Sequence, residues 1–180
     1  MFKRITIIGL GLIGSSIARA IKKNNLCKIL VAHDKSKIVL KKTSKLKITN
    51  HIEPNLKKSV KDSDLVIICT PLGTYKNIVS VIKNNLKKSC ILTDVGSAKI
   101  FVTNTVSKLI NKKTIWIPAH PVAGTEQSGP EAGFADLFKN LRLISKFGTL
   151  NSLQAWLIYI LSAPNLRGQS SPSGAEGTIR

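Results

Sequence analysis

The chain has 180 residues and a mass of 19.6 kDa, a size that allows one ordinary domain. Hydrophobic residues make up 43% of it and charged residues 21%, which excludes an intrinsically disordered protein. Three widely separated cysteines lack metal-ligand spacing, and no apolar run reaches the roughly 20 residues of a membrane span, so we expect a cytoplasmic protein with reduced thiols and no bound metal.

The first predicted elements are a strand, a glycine-rich turn and a helix. Residues 5–8 are apolar and mostly β-branched, and the helix after the turn carries an apolar stripe with a spacing of four residues. The turn between them reads G-x-G-x-x-G. Its glycines permit a tight turn, leave room for a pyrophosphate and let the helix pack closely on the strand, so the pattern predicts a dinucleotide site. The residues we expect at this site are Gly9, Gly11, Leu12, Ile13 and Gly14.

A second strand is predicted over residues 28–32, and it runs into His33 and Asp34. Asp34 lies twenty residues after Gly14, where a carboxylate can accept hydrogen bonds from the adenosine ribose. A carboxylate there also repels a 2′-phosphate, which favours NAD over NADP. The alternative for Asp34 is the N-cap of the next helix, and the two roles are compatible. We interpret His33 as a bystander at the strand end.

The rest of the chain alternates between helical and strand patterns. Helices are predicted at 35–47, 55–61, 75–86 and 100–111, and strands at 46–50, 65–69, 90–94 and 114–119. This alternation predicts an α/β fold, a doubly wound parallel sheet of the Rossmann-like type with strand order 3-2-1-4-5-6. Thr70 and Pro71 follow the strand at 65–69, at the sheet edge where such folds bind ligands, so we expect both at the cofactor.

Residues 118–130 are polar and rich in glycine, which predicts a loop at the same sheet edge. His120 in this loop is a candidate general base, because an unperturbed imidazole has a pKa of about 6.5. A histidine held in a turn for structural reasons is the alternative.

Four segments of the chain resemble one enzyme family in the same order. They are the opening IIGLGLIGSS, the Thr70–Pro71 loop, the DVGSAK loop at residues 94–99 and the HPVAGTEQSG segment at residues 120–129. Together they resemble the prephenate and arogenate dehydrogenases, over residues 1 to about 140.

The resemblance implies an NAD-dependent oxidative decarboxylation of prephenate to 4-hydroxyphenylpyruvate, a step of tyrosine biosynthesis. It implies that His120 hydrogen-bonds the ring hydroxyl and assists its deprotonation, and that Ser97 helps to place that histidine and the substrate. Thr125 and Glu126 match residues that line the substrate pocket, with local turn capping as their alternative. In this family a second, helical domain forms a homodimer.

The last forty residues depart from the family pattern. Residues 141–145 do not match the strand motif expected next, and no lysine follows Lys146 in an otherwise lysine-rich chain. We therefore expect a dinucleotide-binding domain over residues 1–140 and a divergent, disordered tail over 141–180. We also expect a truncated chain without the helical domain, which binds NAD but does not oxidise prephenate alone.

Three other functions remain open from the sequence. Arogenate is the alternative substrate, and a non-catalytic NAD-binding remnant is the alternative to an enzyme. Nucleic-acid or membrane binding would use the net charge of +19, but no aromatic residues are interleaved with the lysines, as base stacking would require. We interpret the lysines as solvated, with pairs at the C-terminal ends of helices, and expect a small-molecule substrate as partner.

Overall fold

A computed structural model describes residues 2–111, 113–121, 125–138, 143–145 and 148–150. The strands are β1 (Phe2–Ile8), β2 (Cys27–His33), β3 (His51–Ile52), β4 (Leu65–Ile68), β5 (Ile91–Asp94), β6 (Ile115–Ile117), β7 (Ala119–Pro121), β8 (Leu143–Ser145) and β9 (Gly148–Leu150). The helices are α1 (Leu12–Lys23), α2 (Lys37–Lys45), α3 (Leu56–Ser59), α4 (Tyr75–Ile82) and α5 (Lys99–Ser107), with 3₁₀ turns at Leu72–Thr74 and Ala135–Phe138. Within these ranges no helix has the length and hydropathy to cross a bilayer.

The first six strands form one parallel sheet in the order β3-β2-β1-β4-β5-β6, which confirms the predicted doubly wound fold. Strand β1 is central, and its Ile5 aligns with Leu30 on one side and Leu65 on the other. Strands β4 and β5 are buried along their whole length, as expected where helices cover both faces of a parallel sheet. Because the strands are parallel, the loops that follow β1, β2, β4 and β5 emerge at one edge.

Helix α1 packs closely on the turn that precedes it. Gly9 adopts a φ of +94°, a conformation that favours glycine, and its N–H donates to the carbonyl of His33 at 2.8 Å. A Cβ on Gly14 would lie 1.9 Å from the carbonyl oxygen of Gly9. The third glycine of the fingerprint is therefore required by the contact between helix and turn.

The third strand does not lie at residues 46–50, where the sequence predicted it. Those residues end helix α2: Leu46 is its C-cap and Lys47 adopts a φ of +51°, while Ile48 turns into the core. The strand follows at His51–Ile52 and pairs with β2. The pattern of residues 46–50 was misleading because an apolar helix ending resembles a short strand.

Three further boundaries differ from the predictions. Helix α4 ends at Ile82, so the Lys87–Lys88 pair lies beyond it, whereas the Lys22–Lys23 pair does end α1 as predicted. The strand predicted at 114–119 is divided between β6 and β7. Residues 118–130 are therefore not a continuous loop, because β7 lies within them.

Strand β7 belongs to a second, antiparallel sheet with the order β7-β8-β9. Its partner β8 lies in the part of the chain that we expected to be a divergent tail, and His120 aligns with Ile144. The predicted boundary at residue 140 falls between the last 3₁₀ turn and β8. Residues 151–180, where we expected disorder, lie outside the described residues.

Residues 129–138 form a strap across helix α1. A Cβ on Gly133 would lie 2.2 Å from Oγ of Ser15, and the N–H of Phe134 donates to Oγ of Ser16 at 3.1 Å. Lys23 and Asp136 form an ion pair at 2.8 Å that adds a tie at the end of the helix. The strap fixes the segment that follows residues 125–128 against the helix that begins at the glycine turn.

The crowding at Gly14 generates a stability prediction. Replacing Gly14 with Ala should lower the melting temperature by several degrees, because overpacking a close contact costs about 1–3 kcal/mol and each kcal/mol is worth about 2–4 °C at this chain length. Gly73→Ala is the matched control, since no atom lies within 4 Å of its Cβ position. Thermal unfolding followed by circular dichroism measures both. Equal melting temperatures for the two variants would contradict the packing argument.

Candidate active site

The glycine turn presents an open surface at the carboxyl edge of the sheet. No atom lies within 4 Å of the position that a Cβ on Gly11 would take. Helix α1 begins directly after it, and Leu12 and Ile13 pack against the core with their side chains. The N–H groups of a first helical turn have no partner within the helix, and they carry the positive end of its dipole. This arrangement fits the pyrophosphate of a dinucleotide.

Asp34 lies beside this turn, at the end of β2. Its Oδ2 accepts the N–H of Leu10 at 2.9 Å and its Oδ1 accepts the N–H of Ser36 at 2.9 Å. The predicted alternative of a helix N-cap is wrong, because the side chain of Ser36 caps α2. The neighbouring His33 is 7% exposed, and its Nδ1 lies 2.9 Å from the carbonyl oxygen of Glu53.

Thr70 and Pro71 lie where the sequence predicted them, in the loop after β4. The Cβ position of Gly9 is only 2.8 Å from Cγ2 of Thr70, so this loop contacts the glycine turn directly. The hydroxyl of Thr74 donates to the carbonyl of Pro71 at 2.7 Å and lies 2.8 Å from Oγ1 of Thr70. The loop is thus adjacent to the predicted phosphate site.

A fully buried carboxylate, Asp94, lies at the end of β5. The ammonium of Lys99 contacts both of its oxygens, at 2.7 and 2.6 Å. The N–H of Gly96 donates to Oδ2 at 2.9 Å, and the hydroxyl of Tyr75 lies 3.3 Å from the same oxygen. The N–H of Ala119 donates to Oδ1 at 3.1 Å. Asp94 therefore joins β5, α4, α5 and β7.

The protonation of this cluster follows from its burial. Burial lowers the pKa of Lys99, and the charge of Asp94 opposes that shift. Burial and the same negative charge raise the pKa of Tyr75, so its hydroxyl stays protonated. Lys99 also donates to the carbonyl of Ala119 at 2.6 Å. Ala119 is therefore hydrogen-bonded through both its N–H, to Asp94, and its carbonyl, to Lys99.

His120 follows Ala119 in strand β7 and is half-buried. Its Nδ1 lies 3.4 Å from the carbonyl oxygen of Val95. A carbonyl oxygen only accepts, so this contact is a hydrogen bond only in the tautomer that carries the proton on Nδ1, and in that tautomer the lone pair of the neutral ring lies on Nε2. The position of the ring thus depends on Ala119, which precedes His120 in the chain, and on Val95, which the ring contacts. Ala119 is bound by Asp94 and Lys99, and Val95 follows Asp94 directly.

Ser97, Thr125 and Glu126 are exposed. The carbonyl of Ser97 accepts the N–H of Lys99 at 2.9 Å, whereas its hydroxyl has no hydrogen bond to any described residue. Thr125 accepts the N–H of Gln127 at 3.3 Å, which is the local turn contact that the sequence left as an alternative. Residues 122–124, which connect His120 to Thr125, lie outside the described residues.

Sequence reasoning missed the roles of Asp94, Lys99 and Tyr75. The first two were visible as the ends of the DVGSAK loop, and an acid five residues before a lysine at a strand-to-helix junction is a signal for a buried ion pair. Tyr75 gave no signal, because a tyrosine at the start of a helix is ordinary. Among the described residues, no group of three His, Cys, Asp or Glu side chains is placed to hold a metal ion.

Comparison with known proteins places this chain in a family. The profile of the family described as prephenate dehydrogenase, nucleotide-binding domain, matches residues 17–145. The chain belongs to this family. The cyclohexadienyl dehydrogenase of Zymomonas mobilis is 39% identical over 140 residues, which are 78% of this chain and 47% of that protein. The prephenate dehydrogenase of Lactococcus lactis is 33% identical over 140 residues, or 77% of this chain and 39% of that protein.

A solved structure shares the fold of this family member. The prephenate dehydrogenase of Aquifex aeolicus, in complex with hydroxyphenyl propionate and NAD⁺, superposes with a TM-score of 0.70 at 19% identity. The match covers 91% of this chain and 56% of that one. The chain thus spans less than half the length of the two curated relatives and just over half of this structure.

Proposed function

We propose that this chain is the cofactor-binding part of an NAD-dependent dehydrogenase that converts prephenate to 4-hydroxyphenylpyruvate on the route to tyrosine. The observation that carries the proposal is His120, whose Nδ1 lies 3.4 Å from the carbonyl oxygen of Val95 at the sheet edge that also holds the glycine turn. The family membership and the name of the Lactococcus relative support the substrate class. Three unpaired cysteines are compatible with a cytoplasmic enzyme.

The residues around the glycine turn fit NAD. The N–H groups at Gly11, Leu12 and Ile13 would hold the pyrophosphate, and Thr70 with Pro71 would border the same ligand. Asp34 would accept the ribose hydroxyls, because each carboxylate oxygen retains a lone pair beside the N–H that it already accepts. When bound, the nicotinamide supplies the acceptor for a hydride. The complex of the Aquifex protein with NAD⁺ supports the same cofactor here.

His120 performs the proton transfer in this proposal. With Nδ1–H donated to Val95, the Nε2 lone pair accepts the proton of the substrate ring hydroxyl. Removal of that proton lets the C–O bond gain carbonyl character, which makes departure of the hydride from the same carbon easier. Loss of the ring carboxylate as carbon dioxide then gives the aromatic product.

Ser97, Thr125 and Glu126 would complete the substrate side of the site. Ser97 is three residues from Asp94 and its exposed hydroxyl is available to a substrate oxygen. Thr125 and Glu126 lie on the exposed segment just before the strap, which anchors that segment to α1. We propose that they line the substrate pocket.

Arogenate is a second candidate substrate, favoured by the name of the Zymomonas relative. Cyclohexadienyl describes the ring that prephenate and arogenate share, and the two differ only in the side chain, keto in one and amino in the other. No described residue is placed to distinguish those groups, so both substrates belong in the assay.

The cofactor assignment predicts a preference between nucleotides. NAD⁺ should bind measurably to the 180-residue protein, and NADP⁺ should bind roughly tenfold or more weakly, because the 2′-phosphate would approach the Asp34 carboxylate. Isothermal titration calorimetry with both nucleotides measures the ratio. Equal or tighter binding of NADP⁺ would contradict the role of Asp34.

The assignment of the base predicts a catalytic defect. In a protein that joins this sequence to the helical domain of a relative, His120→Asn should lower kcat by roughly 10²–10⁴-fold, since loss of a general base has that magnitude. The affinity for NAD⁺ should change little. His51→Asn is the control, because His51 is exposed on β3. Formation of NADH at 340 nm, with prephenate and with arogenate, measures the rate.

Near-normal turnover by the His120 variant would reduce this histidine to a structural role. Nucleotide binding without oxidation of either substrate, by a protein that joins this sequence to the helical domain of a relative, would favour a non-catalytic nucleotide-binding protein; the 180-residue chain alone is expected to bind NAD⁺ without oxidising prephenate.

A further inference from the structure

The residue between the first two glycines has an unusual hydrogen-bond partner. Leu10 is fully buried, and a buried backbone N–H requires an acceptor. That acceptor is Oδ2 of Asp34 at 2.9 Å, rather than a backbone carbonyl. The preceding N–H, of Gly9, donates to the carbonyl of His33 at 2.8 Å. Two consecutive N–H groups of the glycine turn are therefore bound by two consecutive residues at the end of β2.

The second carboxylate oxygen of Asp34 is also occupied. It accepts the N–H of Ser36 at 2.9 Å, in the two-residue turn that leads into α2. Asp34 thus joins the glycine turn to the start of the second helix. Its contacts with the protein are complete on both oxygens, and they do not depend on a ribose.

We propose that Asp34 is a positioning residue for the pyrophosphate-binding turn, in addition to any contact with the ribose. Its carboxylate holds the N–H of Leu10 inward, so the chain from Gly11 to Ile13 is presented to the phosphates in one conformation. The proposal rests on the proposed function, because it takes the ligand of the turn to be a dinucleotide.

The chemistry of this position explains why a carboxylate is required. Two N–H groups approach two different oxygens, and only a carboxylate offers acceptors on both. An asparagine would place its NH₂ group against one of the two donors, so the N–H of Leu10 or the half-buried N–H of Ser36 would lose its partner, and the bond that remains would no longer be charge-assisted. The turn would then occupy its competent conformation for less of the time, and the apparent affinity for every ligand of the turn would fall in proportion.

Electrostatics alone predicts the opposite result. The negative charge of Asp34 lies beside a site for a polyanion, so its neutralisation should strengthen phosphate binding if Asp34 acted only through its charge. A role limited to the ribose predicts no effect on a ligand without ribose hydroxyls. The three roles are therefore separable by one substitution and two ligands.

The experiment compares the unaltered protein with Asp34→Asn, using ADP and 2′,3′-dideoxy-ADP as ligands in calorimetry. The dideoxy compound has the diphosphate but no ribose hydroxyl for a carboxylate to accept. We expect Asp34→Asn to weaken binding of both ligands, by roughly tenfold or more in each case, since a charge-assisted hydrogen bond has about that value. Asp62→Asn is the control, because Asp62 is an exposed acid whose φ of +60° asparagine tolerates.

A second measurement needs no ligand. Hydrogen exchange of the Leu10 amide, followed by NMR in the ligand-free protein, should be faster in Asp34→Asn by a similar factor and unchanged in Asp62→Asn. Weakened binding of ADP alone, tighter binding of the dideoxy compound, or unchanged exchange of the Leu10 amide would each overturn the proposal.

Two other outcomes are also informative. If the unaltered protein binds neither nucleotide, the proposed function fails, and the exchange rate of Leu10 still decides whether Asp34 holds the turn. If Asp34→Asn does not fold, Asp34→Ser is measured in the same way. Unfolding of both variants would overturn the specific role, since Asp34 would then be a determinant of the whole fold.

Discussion

A single buried carboxylate organises the half of this fold that carries His120. Asp94 is fully inaccessible to solvent, and an isolated charge in such a place is strongly destabilising. It is tolerated here because a lysine ammonium, two backbone N–H groups and a tyrosine hydroxyl surround it. Removal of one partner from a buried ion pair typically costs about 3–5 kcal/mol. The cluster is consequently a constraint on where β7, and with it His120, can lie.

The cofactor half depends on a comparable arrangement around the glycine turn. Gly9 and Gly14 satisfy the steric requirements of the turn, whereas Asp34 satisfies its buried hydrogen bonds. The Thr70 loop contacts the same turn from the other side. Because β1, β2, β4 and β5 are parallel neighbours, these separate loops meet at one edge of the sheet. The two halves of the site are thus brought together by strand order and then fixed by two aspartates.

Much of this could be predicted from the sequence, for physical reasons that are visible in the chain. Buried parallel strands require continuous apolar runs, so residues 5–8 and 65–68 were found, and their alternation with helical patterns gave the strand order. Gly9 and Gly14 of the fingerprint could be recognised because each has a steric requirement that another residue cannot meet. The position of Asp34 beside the turn was predicted from its distance in sequence, whereas its contacts with Leu10 and Ser36 were not.

The remaining features depend on contacts between distant residues. Strand β7 has three residues, one of them proline, and too short a pattern to reveal a strand; it forms because β8 pairs with it. The third strand was misplaced because residues 46–50 end α2 instead. The role of Asp94 required partners from three other elements, α4, α5 and β7, and local patterns do not show which elements meet. The strap over α1 depends on Gly133, because a Cβ at this position would clash with Ser15 of α1. The two residues are far apart in sequence, so no local pattern reveals the contact.

The most direct test of the account is the tautomer of His120. Multiple-bond ¹H–¹⁵N spectra of the protein, recorded where the ring is neutral, distinguish a proton on Nδ1 from one on Nε2. We expect the Nδ1–H form, with Nε2 left as the base, and a mixture of both forms in Asp94→Asn, where the support of β7 is weakened. A dominant Nε2–H form in the unaltered protein would contradict it, because the nitrogen assigned to accept the substrate proton would already carry one.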